Sequence, residues 1–298
     1  MRLTKMAPLR GTNQLRLQAT RAASSIADLL SRIGPGRVTR RARLLLARIT
    51  GDRLSVEVHG VTVSGTYSRH YQYLLQLPAG GPHPYQLELF VDRVEPDATI
   101  LDVGAHIGVY ATLAAQRVGS AGRVIAVEPD ARNVEILRAN LVANAVEERV
   151  EIIEAAASDA NGTVRFYLDE AETTGTMGSQ WEDPLADSRP AEIPAVRLDD
   201  VLGESEPDLV KIDVQGAEVA ALRGLQGTFE RYPPKVIFVE LNRAALERAG
   251  SSGDELVASV RNLGLEVWFI DEARREPILI EGAPPSSMVT ENLLCTRA

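Results

Sequence analysis

Cysteine is nearly absent from this 298-residue chain: Cys295 stands alone in an apolar run near the C-terminus. No internal disulfide can form, and a reduced, cytoplasmic setting is expected. No uncharged apolar run approaches the ~18–20 residues of a membrane span, and the N-terminus lacks the apolar stretch of a secretory signal. Lysine is scarce as well, three residues against 29 arginines, which reflects GC-rich coding more than chemistry. There is no internal repeat. Positive charge is missing from most of the chain. Residues 1–50 hold 11 Lys or Arg and one acid, Asp28, which leaves 21 bases and 40 acids for residues 51–298. A body so acidic is a poor partner for nucleic acid, whose phosphates need a basic footprint. It suits a ligand that carries positive charge.

What is present falls into three regions: a basic helical arm over 1–50, a β-hairpin with a lead-in helix over 51–95, and an α/β domain over 96–298. In the arm, Ile26, Leu29, Leu30 and Ile33 stand at helical spacing and stop at Gly34-Pro35-Gly36, and "RRARLLLARI" is a second basic amphipathic segment. Such a segment can lie on a membrane surface. The plainer reading, a helix packed on the acidic body, is favoured here because a charge run is usually a solvated face. "RLSVEVHGVTVSGTY" alternates apolar and polar residues around His59-Gly60, a hairpin signature. From Ala98 onward strands and helices alternate: strands over 98–104, 123–128, 149–155, 208–213, 235–241, 265–270 and 290–296. Near-continuous apolar strands such as "RVIAVE" and "KVIFVE" imply a mostly parallel sheet covered on both faces. No helix separates the last two strands, so an antiparallel final strand is expected. Ser252 and Glu255 form a capping box. A polar, turn-rich stretch follows "TVRFYL" and contains Trp181.

The first strand–turn–helix reads Asp102-Val-Gly104-Ala105-His106-Ile-Gly108. Parallel sheets bind ligands beyond the carboxyl ends of their strands, where the strand order reverses. Dinucleotide enzymes use G-x-G-x-x-G there, so that a helix N-terminus can hold an anionic pyrophosphate. Here His106 takes the place of the middle glycine, and Asp102 would repel a phosphate. A cationic, phosphate-free nucleoside turns the same acid into an asset, and S-adenosylmethionine, with its ammonium and sulfonium, is such a ligand. "VIAVEPD" ends the second strand on Glu128, about 20 residues past the glycine turn, where a carboxylate can accept both ribose hydroxyls.

The segments "DVGAHIG", "VIAVEPD", "LRANLVAN", "AASDANGTV", "RLDDVL", "LVKIDVQGAEVAALRGL" and "VIFVEL" resemble the FkbM-type family of class I S-adenosylmethionine-dependent methyltransferases. The resemblance runs over roughly residues 85–296. It implies a Rossmann-like fold: a mostly parallel seven-stranded sheet with helices on both faces and an antiparallel last strand. The family usually has Asn where His106 stands and Glu where Gln215 stands. Because it is chiefly bacterial, a transit-peptide reading of the Arg-rich arm is set aside. The resemblance places Asp102, Gly104 and Gly108 against the methionine part of the cofactor, with Ala105 and His106 in the same turn. It places Glu128 at the ribose and Ser158 or Asp159 near the adenine, with Pro129 and Asp213 as further candidates for cofactor contact.

"DLVKIDVQGAE" ends a strand on Asp213, and "KVIFVELN" ends the next on Glu240, with Asn242 beyond it. In a parallel sheet both carboxylates emerge at one edge, and Lys211, two residues before Asp213, points to the same face. Transfer of a methyl group to an alcohol needs alignment and a base for the departing proton. Asp213 and Glu240 lead as candidates. His106 is third because an imidazole titrates near neutrality. No metal is expected; a Mg²⁺ version of the site would use Asp213, Glu240 and Asn242, all oxygen ligands. The turn-rich stretch 169–194 is expected to cover the acceptor.

The expectation is therefore a cytoplasmic S-adenosylmethionine-dependent O-methyltransferase. Its acceptor would be a small molecule or glycan bearing a hydroxyl, on a sugar or a polyketide-like metabolite. Two alternatives stay open: an NAD(P)-dependent Rossmann oxidoreductase, and a methyltransferase-like binding protein without catalysis.

Overall fold

A computed structural model describes residues 52–66, 69–79, 81–169, 178–179, 188–288 and 290–297. The arm expected at 1–50 and Trp181 lie outside the described residues. Strands β1 (Leu54–Val58) and β2 (Val61–Gly65) form an antiparallel hairpin. Its turn residues, His59 at φ 46° and Gly60 at φ 84°, are both left-handed, as a two-residue turn matched to the strands' right-handed twist requires. Helices α1 (Tyr71–Gln76) and α2 (Pro84–Arg93) follow. Pro84 opens α2, where a missing N–H costs nothing.

The main sheet starts with β3 (Thr99–Val103), α3 (Val109–Val118), β4 (Arg123–Val127), α4 (Ala131–Ala143) and β5 (Val150–Ile153). A side sheet interrupts it: β6 (Ala156–Ser158), β7 (Gly162–Asp169), β8 (Gly178–Ser179) and β9 (Ser188–Arg197). The main sheet resumes with α5 (Leu198–Leu202), β10 (Leu209–Ile212), α6 (Glu218–Gly224), α7 (Gln226–Arg231) and β11 (Val236–Asn242). It ends with α8 (Arg243–Arg248), α9 (Gly253–Arg261), β12 (Glu266–Asp271), β13 (Glu276–Leu279) and β14 (Thr290–Thr296).

The eight strands run in the order β13-β12-β14-β11-β10-β3-β4-β5. β3, β4, β5, β10 and β11 are parallel, and β14 runs antiparallel between β11 and β12. This is the mostly parallel, helix-covered sheet that the strand–helix alternation implied and the Rossmann-like architecture that the resemblance implied, with one strand more than the seven legible in the sequence. The added β13 is a four-residue edge strand carrying Pro277, a residue tolerated at a sheet edge and a signal against a strand elsewhere. The side sheet, ordered β6-β9-β7-β8, was legible only as "TVRFYL". Pro190 and Pro194 mask β9, yet each lies where β9 pairs with β7 alone, so the missing N–H breaks no second ladder.

Alternation along the strands sorts the core into two faces. Leu101, Val103, Val210, Ile212, Ile237 and Val239 pack under α5, α6 and α9; Ile100, Val124, Leu209 and Phe238 pack under α2, α3 and α4. Asp102 shares the second face with Ile100, and Lys211 shares it with Leu209, so the register pair Asp102–Lys211 puts two charges inside an apolar layer. Ser252 Oγ accepts the Glu255 N–H at 3.1 Å and starts α9, as the capping box implied.

The hairpin is joined to α4 by side chains that mimic a strand. Asn140 Oδ1 accepts the Ser64 N–H at 2.8 Å while its Nδ2 donates to Ser64 O at 3.0 Å and Ile107 O at 2.8 Å. One turn on, Asn144 does the same for Thr62, accepting its N–H at 2.9 Å and donating to its carbonyl at 2.8 Å. Four helical residues rise about 6 Å and two strand residues about 6.7 Å, so paired amides on a helix can match one strand edge. Asn140→Ala is expected to cost about 1–3 kcal/mol, because it strands buried backbone groups of Ser64 and Ile107. Val142→Ala on the same helix, where the side chain is 61% exposed, should stay within about 0.5 kcal/mol. Chemical denaturation of both variants measures the contrast.

Candidate functional site

The strand order reverses between β3 and β10, so the carboxyl ends of these neighbours open onto a switch-point crevice. A cavity of about 350 Å³ lies there. One wall is the turn after β3. Gly104 (φ 82°), His106 (φ 54°) and Gly108 (φ 85°) all adopt left-handed backbone. The glycines serve packing inside the protein. A Cβ on Gly104 would stand 1.9 Å from the Asp213 carbonyl oxygen, and one on Gly108 would stand 2.8 Å from Leu137 Cγ. The turn after β3 thus lies directly on the turn after β10, and Gly108 lets α3 start against α4. Most of the turn's amides are spent internally. Gly104 and Ala105 donate to Val127 O at 2.9 and 3.1 Å, Gly108 to Ala105 O at 2.8 Å, and His106 to Glu128 Oε2 at 2.9 Å.

Glu128, just past β4, is buried and faces the cavity. Its Oε1 accepts the Asp130 N–H at 3.0 Å and Asn133 Nδ2 at 3.0 Å, and its Oε2 accepts His106 N–H. A carboxylate has about four acceptor positions, so one remains, on Oε2, and the sequence-based expectation of two ribose hydroxyls exceeds it. Burial pushes the Glu128 carboxyl up to about 7 against the pull of its three donors. Asn133 is aimed from behind. His70 Nδ1 accepts the Thr66 N–H at 3.1 Å, which leaves Nε2 to donate to Asn133 Oδ1 at 3.4 Å.

At the other end of the cavity stand the carboxylates of Asp213 and Glu240. Lys211 Nζ lies 3.4 Å from Asp213 Oδ2, 3.8 Å from Asp102 Oδ1 and 4.6 Å from the centre of the Tyr110 ring. Burial alone would lower its basicity; Asp213 and Asp102 outweigh burial and hold the ammonium above the ordinary lysine range. One cation shared among several acids leaves each partly uncompensated. Burial lifts Asp102 above its usual range despite Lys211, and burial, Asp213 and Glu218 together lift Glu240 well above the carboxylate range. Gln215 bridges the pair, its Nε2 donating to Asp213 Oδ1 at 2.9 Å and Glu240 Oε2 at 2.8 Å. Glu218, fully buried behind the turn, accepts the Val214 N–H at 3.1 Å and the Gly216 N–H at 2.9 Å.

Of the residues singled out in the sequence, Gly104, Ala105, His106, Glu128, Pro129, Lys211, Asp213 and Glu240 line the cavity. Five do not. Asp102 lies beneath the turn, 1% exposed, and meets the cavity through Lys211. Gly108 faces Leu137. Ser158 and Asp159 lie past the wall, which is built instead from Ala155, Ala156 and Ala157. Asn242 caps α8, accepting the Ala245 N–H at 3.1 Å, so it does not join Asp213 and Glu240 in an oxygen cage. Among the described residues no group of three or more His, Cys, Asp or Glu is arranged to hold a metal ion. The neutral-range titration expected of His106 is also corrected. Its ring is buried with His70 and Tyr73 at centroid distances of 5.2 and 5.4 Å, and burial first, then His70 and Arg69, drives it well below the ordinary histidine range.

Sequence reasoning missed the wall opposite. Tyr73, Leu77, His83 and Gln86, from the hairpin region and α2, line the cavity, as does Asn292 from β14. Asn292 sits beside Glu240 in the register of β11 and β14, a neighbour only the strand order reveals. Glu272 holds α2 in place by accepting the Tyr85 and Gln86 N–H groups at 2.8 and 2.9 Å.

The crevice, the acid-tipped strands and the strand order define a Rossmann-like protein of the class I methyltransferase type. A family model described as the methyltransferase FkbM domain matches residues 102–267, and the chain belongs to that family. It is also similar to the AMB antimetabolite synthetase AmbE of Pseudomonas aeruginosa, 29% identical across an alignment that covers 79% of this chain and 12% of that protein. The chain therefore spans about an eighth of that relative's length. Solved structures similar to it include an S-adenosylmethionine-dependent O-methyltransferase of Thermotoga maritima (14% identity, 73% of this chain and 66% of that one, TM-score 0.39). Others are a precorrin-6y C5,15-methyltransferase of Geobacter metallireducens (15%, 73% and 88%, 0.40) and fibrillarin of Aeropyrum pernix (11%, 68% and 68%, 0.39).

Two outcomes follow for the ligand-free protein. Gly104→Ala should destabilise it by more than about 3 kcal/mol, since the new methyl meets backbone and the φ is left-handed; a melt within a degree of the parent would contradict the contact. Burial pushes Glu218 up to about 7 from 4.5. Its folded form binds a proton more tightly than its unfolded form, so its share of stability is complete below pH 4.5 and is lost as pH rises through about 7. Glu218→Gln should flatten the fall in Tm between about pH 5 and about pH 8, by at most about 3 kcal/mol.

Proposed function

We propose that this protein transfers the methyl group of S-adenosylmethionine to a hydroxyl of a small acceptor. The observation that carries the reading is the state of the turn after β3. Gly104, Ala105, His106 and Gly108 direct their amides into the protein, so little of the loop is free to cradle a pyrophosphate, which needs several outward N–H groups. That weighs against a dinucleotide oxidoreductase and for a phosphate-free nucleoside. The residues present fit such a ligand: Glu128 has one acceptor position left for a ribose hydroxyl, the alanine wall suits an adenine face, and Asp213 supplies negative charge at the donor end.

When bound, S-adenosylmethionine supplies an electrophilic methyl carbon with a good leaving group. The chain's task is alignment, which can be worth up to about 7–11 kcal/mol, and removal of the acceptor's proton, worth about 10²–10⁴-fold. The Asp213–Glu240 pair takes the second role. Glu240, lifted by burial and by Asp213, takes the proton; Asp213, held by Lys211 and Gln215, orients the acceptor. His106, kept neutral and enclosed, is a wall residue of the cofactor end. Oxygens dominate the acceptor end, which favours neutral or cationic hydroxyl donors over phosphates and carboxylates. A sugar or polyketide-like acceptor meets this, and a secondary-metabolite acceptor accords with a relative named as an antimetabolite synthetase. We assign the hairpin region as the acceptor-side wall of the catalytic unit. The lone, buried Cys295 suits a reducing compartment such as the cytoplasm.

Calorimetry should give S-adenosylhomocysteine binding and no heat with NAD(H). Glu128→Ala should weaken that binding at least about tenfold. Glu240→Gln should keep affinity within about threefold and lower turnover at least about a hundredfold on a hydroxylated acceptor found by labelled-methyl screening. Tight dinucleotide binding with no response to S-adenosylhomocysteine would sink the reading.

A further inference from the structure

The acceptor-side carboxylates are held apart by one neutral group. Gln215 donates both protons of its carboxamide, to Asp213 Oδ1 at 2.9 Å and to Glu240 Oε2 at 2.8 Å. Those protons diverge by about 120°, so linear hydrogen bonds to both would set the two oxygens about 5 Å apart. Two oxygens sharing one Mg²⁺ at about 2.1 Å would close to about 3 Å. The amide's origin is fixed: Gln215 sits in left-handed backbone, φ 54°, in a turn that Glu218 pins at Val214 and Gly216. Its Oε1 makes no hydrogen bond to the described residues, and the residue lines the cavity. The nearby cation, Lys211, contacts Asp213 at 3.4 Å from Oδ2 and acts on Glu240 only through its field.

We propose that Gln215 is a positioning residue whose amide stands in for a cation between Asp213 and Glu240, and that the residue at 215 decides whether this site takes a divalent metal. With an amide there, the two acids are tied into a hydrogen-bonded pair without a metal ion, and Gln215 Oε1 offers a third acceptor to the incoming hydroxyl. With an acidic or imidazole side chain there, three ligands converge where the amide now donates. The inference rests on the methyl-transfer reading for its purpose, though its geometry does not depend on that reading.

The test is Mn²⁺ titration of the full chain, followed by electron paramagnetic resonance, in the parent and in Gln215→Glu, Gln215→His and Gln215→Leu. Gln215→Glu is expected to bind one Mn²⁺ at least tenfold more tightly than the parent. Adding Asp213→Asn should abolish that gain, and Gln215→Leu should gain nothing. Gln215→His serves if three acids prevent folding, which circular dichroism and melting will report. Labelled-methyl transfer by the parent should survive EDTA. Parent protein that binds Mn²⁺ as tightly as Gln215→Glu, with the binding lost in Asp213→Asn, would overturn the proposal. So would folded Gln215→Glu and Gln215→His proteins with no gain. S-adenosylhomocysteine calorimetry on the same samples separates the two ideas: silence there defeats the methyltransferase reading while the Mn²⁺ contrast is scored independently.

Discussion

Two crossover turns touch at the centre of the molecule, and the site is built around that contact. β3 and β10 are neighbours at the switch point, so the chains leaving them must pass each other without a side chain between them. Gly104 permits this. The missing Cβ lets its backbone rest on the Asp213 carbonyl, and a methyl group there would overlap it at 1.9 Å. From this approach follow the depth of the crevice, the position of Asp213 on its floor and the close pairing of Lys211 with acids from both strands.

Charge within that cavity is deliberately unbalanced. Lys211 is buried among Asp102, Asp213 and Glu240, and desolvation makes every uncompensated carboxylate costly. The protein meets the cost with hydrogen bonds: three donors on Glu128, backbone amides on Glu218, and the Gln215 carboxamide between Asp213 and Glu240. The remaining deficit of positive charge is what a sulfonium and an ammonium can supply. Burial thus raises Asp102, Glu128, Glu218 and Glu240 above the ordinary carboxylate range.

The hairpin region completes the site from outside the sheet. Asn140 and Asn144 grip the edge of β2, while His70 orients Asn133, which in turn orients Glu128. Tyr73, Leu77 and Gln86 then close the wall facing the acids. A segment without motif character therefore orients Glu128 through hydrogen bonds and walls the cavity through packing.

Much of the fold could be read from local pattern. Apolar strands alternating with amphipathic helices implied the parallel sheet, and acids at strand tips implied the crevice edge, because both signals lie within a few residues. Other features were illegible for definite reasons. β9 hides behind two prolines that pairing on one side tolerates, and β13 is too short and too edge-bound to alternate. Gly104 and Gly108 signalled close approach, but sequence could not say to what, and both proved to accommodate the protein itself. The parity that placed Lys211 beside Asp213 also buried Asp102, since register puts the two across from each other. The sequence by itself determined the alternation, the side-chain chemistry and which residues end strands, all properties of neighbours along the chain. Only the tertiary structure decided that Asp102 is shielded, that Asn242 is a cap, and that Gln215 bridges two acids from different strands. Those roles depend on distances between segments far apart in the chain, which are set by strand order and packing.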